Sequence, residues 1–299
     1  MWLESLLRGT TTRLPFYGMP ILADLLARRY YTTTVRRQLT IGDITLDVDL
    51  SNAVMRNAYF GIFEKHLLAL MRRVLKPGGV FVDVGANIGY LSSHARRLVG
   101  GGGSVHAFEP VPEYARYLEA AAQLSNIRNI FINHCAVGNA PGQVTISISG
   151  ERNIGWNTIV PGFMAKVDAQ RSLDVPMVTL TKYFEDQNIR QVDLIKIDVE
   201  GSEMLVFDGL RGFLNSGASP IIVSEISPAA ATLLERPLST LVDEMASLGY
   251  RALKFSRRGL RRIYAGGVCL ERADLSLLDR TTDIVWIKNE DLRLKEWAQ

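Results

Sequence analysis

The pattern of apolar and polar positions divides the chain into an N-terminal part and a longer alternating part. Apolar and polar residues alternate over 39–50 on either side of Gly42-Asp43, which predicts a β-hairpin. Apolar residues then recur at helical spacing over 60–74, and Lys76-Pro77-Gly78-Gly79 ends that predicted helix. Beyond this point short apolar runs alternate with amphipathic segments. Such alternation is typical of a parallel sheet with helices on both faces.

The alternating part predicts a series of strands and helices. Strands are predicted at 80–84, 104–109, 130–134, 193–199, 220–225, 250–256 and 282–288, and helices at 89–99, 112–124, 203–215 and 238–248. An extra strand at 143–149 is followed by an irregular stretch, 150–176, and loops of this length are usually functional or disordered. We therefore predict an N-terminal extension over 1–74, with a helical arm, a hairpin and a helix, and an α/β domain over 75–299 with an insert at about 142–178.

Composition and charge narrow the class of protein. The 299 residues are 47% apolar and 22% charged, which supports a packed core. A net charge of +3 is low for a dedicated nucleic-acid-binding protein, so no nucleic acid partner is predicted. Two cysteines without a metal or disulfide pattern favour the cytoplasm. The apolar run over 14–23 is interrupted by Pro15, Gly18 and Pro20 and is too short for a membrane span, and no signal peptide is expected.

Two basic segments are candidate binding surfaces for partners of the chain. Residues 1–37 contain six arginines against Glu4 and Asp24, a net charge of +4, in two amphipathic pieces. This arm either packs across the main domain or contacts an anionic membrane surface or a second subunit, as in a homo-oligomer. Six basic residues over 251–262 form either a solvated turn or a site for an anionic acceptor.

A small-residue loop follows the first strand of the alternating part. The strand at 80–84 runs directly into Gly85-Ala86-Asn87-Ile88-Gly89, and a helix begins near Ile88. Glycines let the backbone turn tightly and approach a ligand, and the N–H groups of a helix start favour an anionic group. The loop is a candidate cofactor site, and a plain structural turn is the alternative.

An acid at the end of the second strand indicates a nucleoside. Glu109 lies twenty residues after Gly89, where a carboxylate can accept both ribose hydroxyls. This spacing leaves NAD and S-adenosylmethionine open. The loop lacks the G-x-G-x-x-G of a pyrophosphate site, and Asp83 would repel a pyrophosphate but attract an ammonium and a sulfonium. The alternative role for Asp83 is to cap the loop.

Further charges follow the fourth and fifth strands. Lys196, Asp198 and Glu200 recur with period two, which places them on one face of a strand. Because such charges are not buried without partners, we expect them at the carboxyl edge of the sheet, where ligands bind. A Lys196–Glu200 ion pair that ties the strand end is the alternative. Glu225 ends the neighbouring strand, and clustered carboxylates raise at least one pKa, so that one could take a hydroxyl proton.

Four motifs, in order along the chain, resemble the FkbM family of class I methyltransferases. They are Asp83 to Gly89, Ala107-Phe108-Glu109-Pro110, Ala136-Val137-Gly138 and Lys196 to Gly201, and the resemblance covers about residues 75–230. It implies a Rossmann-like class I methyltransferase sheet, mostly parallel, with S-adenosyl-L-methionine as methyl donor. It also implies a hydroxyl acceptor on a small molecule or glycoconjugate, such as a sugar, glycolipid or secondary metabolite.

The resemblance also implies roles for single residues. Glu109 is expected on the ribose and Cys135-Ala136 near the adenine. The full set of expected cofactor residues is Asp83, Gly85, Ala86, Asn87, Gly89, Glu109, Pro110, Cys135, Ala136 and Asp198. Because the donor methyl is already electrophilic, the protein has to align an acceptor oxygen and remove a proton.

The expected catalytic residues follow from that requirement. We expect Asp198 or Glu200 to be the base, with Lys196 or Glu225 orienting the acceptor. In the irregular stretch, Trp156 and Asn157 are candidate substrate residues of a lid, with a core role as the alternative for the tryptophan.

A metal site and two alternative functions also have to be considered. The four histidines show no i, i+4 pairing, so no metal site is expected, although clustered carboxylates also suit Mg²⁺. A nicotinamide-linked oxidoreductase is the alternative enzyme, disfavoured by the missing G-x-G-x-x-G and Tyr-x-x-x-Lys patterns. A non-catalytic methyltransferase-like interaction protein is the alternative outside enzymes.

Overall fold

The computed structural model describes residue 27 and residues 29–149, 157–163, 169–256 and 269–294, with the backbone alone for Ala169 and Gln170. The strands are β1 (Arg36–Ile41), β2 (Ile44–Asp49), β3 (Val80–Val84), β4 (Ser104–Phe108), β5 (Ile130–Asn133), β6 (Ala136–Val137), β7 (Gly142–Ser149), β8 (Ala169–Val178), β9 (Leu194–Ile197), β10 (Ile221–Ile226), β11 (Tyr250–Phe255), β12 (Leu270–Arg272) and β13 (Thr282–Lys288). The helices are α1 (Ala53–Tyr59), α2 (Lys65–Val74), α3 (Tyr90–Val99), α4 (Pro112–Leu124), α5 (Leu180–Asp186), α6 (Glu203–Asn215), α7 (Pro228–Leu233) and α8 (Leu238–Ser247).

The central sheet has eight strands in the order β12-β11-β13-β10-β9-β3-β4-β5. The neighbouring strands β10, β9, β3, β4 and β5 pair in parallel. Strand β13 runs antiparallel to both β10 and β11. The predicted mostly parallel, Rossmann-like sheet is therefore confirmed. The chain moves outward from β3 in both directions, and the carboxyl edge at such a switch point is where open α/β sheets bind ligands.

Side chains of the central strands alternate between two cores, one on each face of the sheet. Phe81 of β3 and Leu194 of β9 pack on one face with helices α2, α3 and α4. Val82 and Ile195 pack on the other face with α5, α6 and α8. All four side chains are fully buried. The predicted helices on both faces are confirmed, and the period of two brings β3 and β9 residues of the first face together near the carboxyl edge.

The N-terminal extension contains the predicted hairpin but not the predicted single helix. β1 and β2 pair antiparallel around Gly42, and β2 buries apolar side chains in the core of the first face. The helix predicted over 60–74 is wrong in its first turn, because α1 ends before Phe60 and α2 begins at Lys65. Gly61 and Glu64 interrupt it with left-handed φ values of 65° and 49°. The apolar spacing continued through this break and concealed it.

The insert is more regular than predicted. Instead of an irregular stretch to residue 176, β8 pairs antiparallel with β7, and β6 pairs parallel with β8, which gives a small sheet of order β6-β8-β7. Pro176 and its polar neighbours obscured the alternation of Leu173, Val175 and Met177. Residues 150–156 and 164–168 lie outside the described residues.

The remaining differences concern short elements and lengths. The sequence did not predict α1, β6, α5, α7 or β12, each of seven residues or fewer. None of the helices in the described part of the chain has the length and hydrophobicity needed to cross a bilayer. The domain division between residues 74 and 75 stays a prediction, and the extension shares the core of the first sheet face.

Candidate active site

A cavity of about 240 Å³ lies at the carboxyl edge, where β3, β4, β9 and β10 end. Its wall combines the loops after these strands with parts of the N-terminal extension and the small sheet. Trp156 lies outside the described residues, and Gly89 is not in the wall. The predicted site residues that line the cavity are Asp83, Gly85, Ala86, Asn87, Glu109, Pro110, Cys135, Ala136, Asn157, Lys196, Asp198, Glu200 and Glu225.

The loop after β3 passes unusually close to the loop after β9. Gly85 has φ +79°, and a Cβ at this position would overlap the backbone carbonyl of Asp198. Gly89 also has a left-handed φ, and a Cβ there would come within 2.7 Å of Leu118 on α4. Glycine is thus required at residue 85 for the approach of two site loops and at residue 89 for the packing of α3 against α4.

Glu109 ties the tips of β3 and β4 together. Its carboxylate accepts the N–H of Asn87 at 2.8 Å and the N–H of Val111 at 2.9 Å. Burial raises the pKa of Glu109 to about 7, although these two hydrogen bonds act in the opposite direction. Each oxygen keeps a second lone pair that a hydroxyl group could use. The position is therefore compatible with the predicted ribose contact.

The opposite wall at this end of the cavity is apolar. Cys135 and Ala136 follow β5 and line the cavity, as do Ile146 of β7 and Ile159. Burial raises the pKa of the Cys135 thiol to about 11, so it is neutral at physiological pH. A flat aromatic base is the kind of group that such a surface accommodates.

Asp83 and Lys196 form a buried ion pair beneath the cavity. The Asp83 side chain is fully buried and accepts a 2.6 Å hydrogen bond from the Ser92 hydroxyl. Lys196 lies 3.5 Å from Asp83 and 3.4 Å from Asp198, and its ammonium donates to the carbonyl of Gly85 at 2.6 Å. The predicted alternative of a Lys196–Glu200 pair is wrong, since the Lys196 ion pairs in the described part of the chain are those with Asp83 and Asp198.

Burial and neighbouring charges act against each other in this pair. Burial raises the pKa of Asp83, while the charge of Lys196 and the Ser92 hydroxyl lower it only in part. For Lys196, burial alone would lower the pKa, but the charges of Asp198 and Asp83 outweigh it and raise the pKa. The lysine is therefore a fixed positive charge between the two site loops.

Three carboxyl groups face one another at the other end of the cavity. Asp198, Glu200 and Glu225 each place an oxygen within 4.8 Å of the others. Burial, together with the charge of Asp198, raises the pKa of Glu200 to about 8 and that of Glu225 to about 9. Both glutamates are therefore mostly protonated at neutral pH, and each can donate a hydrogen bond.

The strand predicted over 193–199 is shorter than expected and does not reach Asp198 or Glu200. β9 ends at Ile197, and Glu200 has a left-handed φ of 51°, so period two does not place it. The loop is held instead by Glu203, which accepts the N–H groups of Val199 and Gly201 at 3.1 Å each. Lys196, Asp198 and Glu200 do meet in one cavity, but the loop after β9 carries the last two of them.

Several residues of the site were not predicted from the sequence. Glu64 lines the cavity from the start of α2. His66, in the first turn of the same helix, lies 3.4 Å from Glu64 and 2.8 Å from Asp283 on β13. The sequence could have placed Asp283 in the site, because the start of an antiparallel strand lies at the carboxyl edge of its parallel neighbours. Glu64 had none, since the helix break before it was concealed.

In the part of the chain that the structure describes, two groups of side chains have the spacing of a divalent-cation site. They are Asp198, Glu200 and Glu225, and Glu64, His66 and Asp283, with ligand atoms within 4.8 Å of one another in each group. Clustered acids alone do not identify a metal, and the expected absence of one stays a prediction.

Comparisons with known proteins agree with the resemblance in the motifs. A family model described as Methyltransferase FkbM domain matches residues 83–252, more than half of the chain. The 31-O-demethyl-FK506 methyltransferase FkbM of Streptomyces tacrolimicus is 29% identical over 161 residues, which are 46% of this chain and 61% of that protein.

The chain also aligns with two solved structures. Methyltransferase FkbM of Methylobacillus flagellatus KT aligns with a TM-score of 0.41 and 15% identity over 91% of this chain and 60% of that one. Fibrillarin of Aeropyrum pernix, with natively bound S-adenosyl-L-methionine, aligns with a TM-score of 0.39 and 16% identity over 84% of this chain and 82% of that one. The chain thus spans about 60% of the length of the FkbM proteins that it matches. By the family match over 83–252, it belongs to the FkbM methyltransferase family.

Proposed function

We propose that this chain transfers the methyl group of S-adenosylmethionine to a hydroxyl oxygen of a small molecule or glycoconjugate. One observation carries the proposal. A single cavity is lined by Glu109 and the loop at Gly85, which suit a nucleoside cofactor, and by three facing carboxyl groups. Membership of a methyltransferase family favours this function over a nicotinamide-linked oxidoreductase.

The residues present fit S-adenosylmethionine as cofactor. When bound, it supplies an electrophilic methyl group on a positively charged sulfur. Glu109 would hold the ribose, Cys135 and Ala136 would border the adenine, and the loop from Gly85 to Asn87 would border the amino acid part. Two aspartates, Asp83 and Asp198, face the ammonium of Lys196, and this surplus of aspartates makes the cavity suited to a cationic molecule.

The chain's own residues can orient an acceptor and take its proton. Asp198 is the proposed base, because its carboxyl group is 40% exposed toward the cavity, and Lys196 fixes it at 3.4 Å. Glu200 and Glu225, which stand protonated at neutral pH, are proposed to donate hydrogen bonds that orient the acceptor oxygen. Glu200 acting as the base is the alternative.

An oxygen acceptor is supported by the name of one relative. The name of the Streptomyces tacrolimicus protein places its missing methyl group on an oxygen. Asn157 lines the cavity from the insert, and its side chain also accepts the N–H of Ser149 on β7. We propose that this part of the insert contacts the acceptor, together with Trp156.

We also propose contacts of the chain with partners other than the acceptor. Most of the basic arm over 1–37 and half of the basic run over 251–262 lie outside the described residues. Contact of the arm with an anionic membrane or with a second subunit would show as salt-dependent binding to vesicles of anionic lipid, or as a concentration-dependent mass. No nucleic acid partner is proposed.

The test combines donor binding with transfer. Calorimetry should detect binding of S-adenosylhomocysteine, and donor carrying a labelled methyl group should label a product in fractionated cell extract, to be identified by mass spectrometry. Asp198→Asn should keep the binding and lose most of the transfer, while Asp186→Asn, at an exposed ion pair with Lys182, should keep both. Normal turnover in Asp198→Asn would remove it as the base. Binding without any transfer would favour the non-catalytic alternative.

A further inference from the structure

Glu64 enters the cavity from outside the region that the family model matches. It precedes α2 with a left-handed φ of 49°, and it lines the cavity together with Phe63. Its charge interacts with those of Asp198 and Lys196. Glu64 therefore lies toward the carboxyl end of the cavity rather than the end with Glu109.

The ring of His66 connects Glu64 to the last strand of the sheet. The same ring nitrogen, Nε2, lies 2.8 Å from Asp283 and 3.4 Å from Glu64. Phe255 packs against the ring in a T-shaped contact with centroids 4.6 Å apart. Two elements outside the loop of Glu64 thus fix the group that holds its carboxylate.

Asp283 is itself tied to the carboxyl cluster. It is the direct cross-strand partner of Glu225 in the antiparallel pair of β10 and β13. The sheet register therefore sets where Asp283 lies, the aspartate sets the position of the His66 ring by a hydrogen bond, and the ring lies 3.4 Å from the carboxylate of Glu64. Each link joins two separate elements of the fold.

The other carboxylates on the cavity wall have different partners. Asp83 is bound by Ser92 and Lys196, and Glu109 accepts two backbone N–H groups. Asp198 pairs with Lys196. Glu64 is the one among these four that lies beside a histidine. Burial and the charge of Asp283 raise the pKa of Glu64 to about 7, and the charge of His66 opposes this rise, so that the histidine favours the ionised form.

We infer that Glu64 determines specificity at the methyl-transfer position by supplying a negative charge beside it, and that His66, held by Asp283, is its positioning residue. This inference rests on the proposed function. A carboxylate there favours a positive charge on the donor side over the neutral thioether of the product. It also disfavours acceptors with a phosphate or carboxylate near the reacting oxygen.

Two ligands of nearly equal shape test the charge. S-adenosylhomocysteine has a neutral sulfur, whereas sinefungin carries a protonated amine where the donor has its sulfonium methyl. The preference for sinefungin is measured by the ratio of the dissociation constant of S-adenosylhomocysteine to that of sinefungin. We expect Glu64→Gln to lower this ratio by about tenfold, mainly through weaker binding of sinefungin. Glu64→Asp, which keeps the charge, should restore part of the preference.

The positioning role needs a cycle of variants. His66→Gln should change the ratio in the wild-type background and leave it unchanged in the Glu64→Gln background, because the histidine acts through Glu64. Glu119 and His134 provide the matched control, since they form a surface Glu–His pair at 2.6 Å and do not line the cavity. Glu119→Gln and His134→Gln should leave the ratio unchanged.

The outcomes separate the two proposals. If wild-type protein binds neither ligand, the proposed function fails, and the inference fails with it. If wild-type protein binds both and Glu64→Gln keeps the ratio within twofold, the function stands and the inference is overturned. Equal effects of His66→Gln in both backgrounds would overturn the positioning role. If Glu64→Gln does not fold, as judged by circular dichroism, an unchanged ratio in Glu64→Asp and in His66→Gln overturns the inference.

Discussion

Lys196 lies directly opposite Asp83 across β9 and β3, with its ammonium 3.5 Å from Oδ1 of the aspartate. The two side chains are 7% and 1% exposed. Oδ1 of Asp83 has no hydrogen bond within the described residues, so its charge is balanced by Lys196 alone among the contacts of this atom. A buried ion pair therefore joins the two central strands that carry the site. Removal of one partner is costly, because the other charge then stays buried without a counter-charge.

We predict that Lys196→Met destabilises the protein by about 3–5 kcal/mol, because Asp83 then remains buried without a counter-charge. The double variant with Asp83→Asn should recover a large part of that loss. Urea unfolding followed by circular dichroism measures both. Lys182→Met, which removes an exposed pair with Asp186, is the control and should keep the wild-type midpoint. A Lys196→Met protein as stable as wild type would show that the pair contributes no stability.

Gly85→Ala is predicted to disrupt the site loops. The added Cβ would overlap the carbonyl of Asp198, and the left-handed φ of +79° is itself unfavourable for alanine. We expect a loss of about 2 kcal/mol or more in the free energy of unfolding and loss of S-adenosylhomocysteine binding by calorimetry. Gly101→Ala, where a Cβ would meet nothing within 4 Å, should behave as wild type.

The parallel sheet could be predicted from the sequence because its strands are buried on both faces and stand out as apolar runs. The order of the site motifs then followed, since parallel strands present their carboxyl ends at one edge. The break at Gly61 and Glu64 could not be predicted, because Phe60 and Phe63 keep helical spacing on either side of it. Periodicity reports which positions are buried, and here buried positions continue through a loop.

The side-chain pairing in the site was only partly predictable. Period two correctly grouped Lys196 and Asp198, but it gave Lys196 the wrong alternative partner in Glu200. The real partner, Asp83, is 113 residues away in sequence, and only the β3–β9 register brings the two together. His66 and Asp283 are 217 residues apart, and no local pattern connects them.

Glu109→Gln should weaken donor binding and stability together. Glutamine offers one oxygen to the two backbone N–H groups, of Asn87 and Val111, so one of them loses its partner at a cost of about 1–3 kcal/mol. We expect the dissociation constant of S-adenosylhomocysteine to rise by about tenfold or more. Glu113→Gln, in the first turn of α4 and paired with Arg171 at the surface, is the control. Unchanged binding in Glu109→Gln would exclude the proposed ribose contact.

The last prediction concerns pH, and it follows from the raised pKa values of the buried glutamates. Burial raises the pKa of Glu203 to about 7, that of Glu200 to about 8 and that of Glu225 to about 9, from an unfolded value of 4.5. The unfolded chain therefore releases these protons at lower pH than the folded protein. The contribution of these groups to the free energy of unfolding should be complete below about pH 4.5 and should be lost as pH rises to about 9.

Glu225→Gln tests this sign, because a glutamine keeps the neutral form that the folded protein favours. We expect the variant to lose less stability than wild type between pH 7 and 9, as measured by urea unfolding at a series of pH values. Glu185→Gln, at an exposed position on α5, should follow the wild-type curve. A wild-type protein that gains stability over this range, with Glu225→Gln parallel to it, would mean that the carboxyl groups of the cavity are ionised in the folded state. In that case Glu200 and Glu225 could not donate hydrogen bonds to an acceptor oxygen, and their proposed orienting role would have to be abandoned.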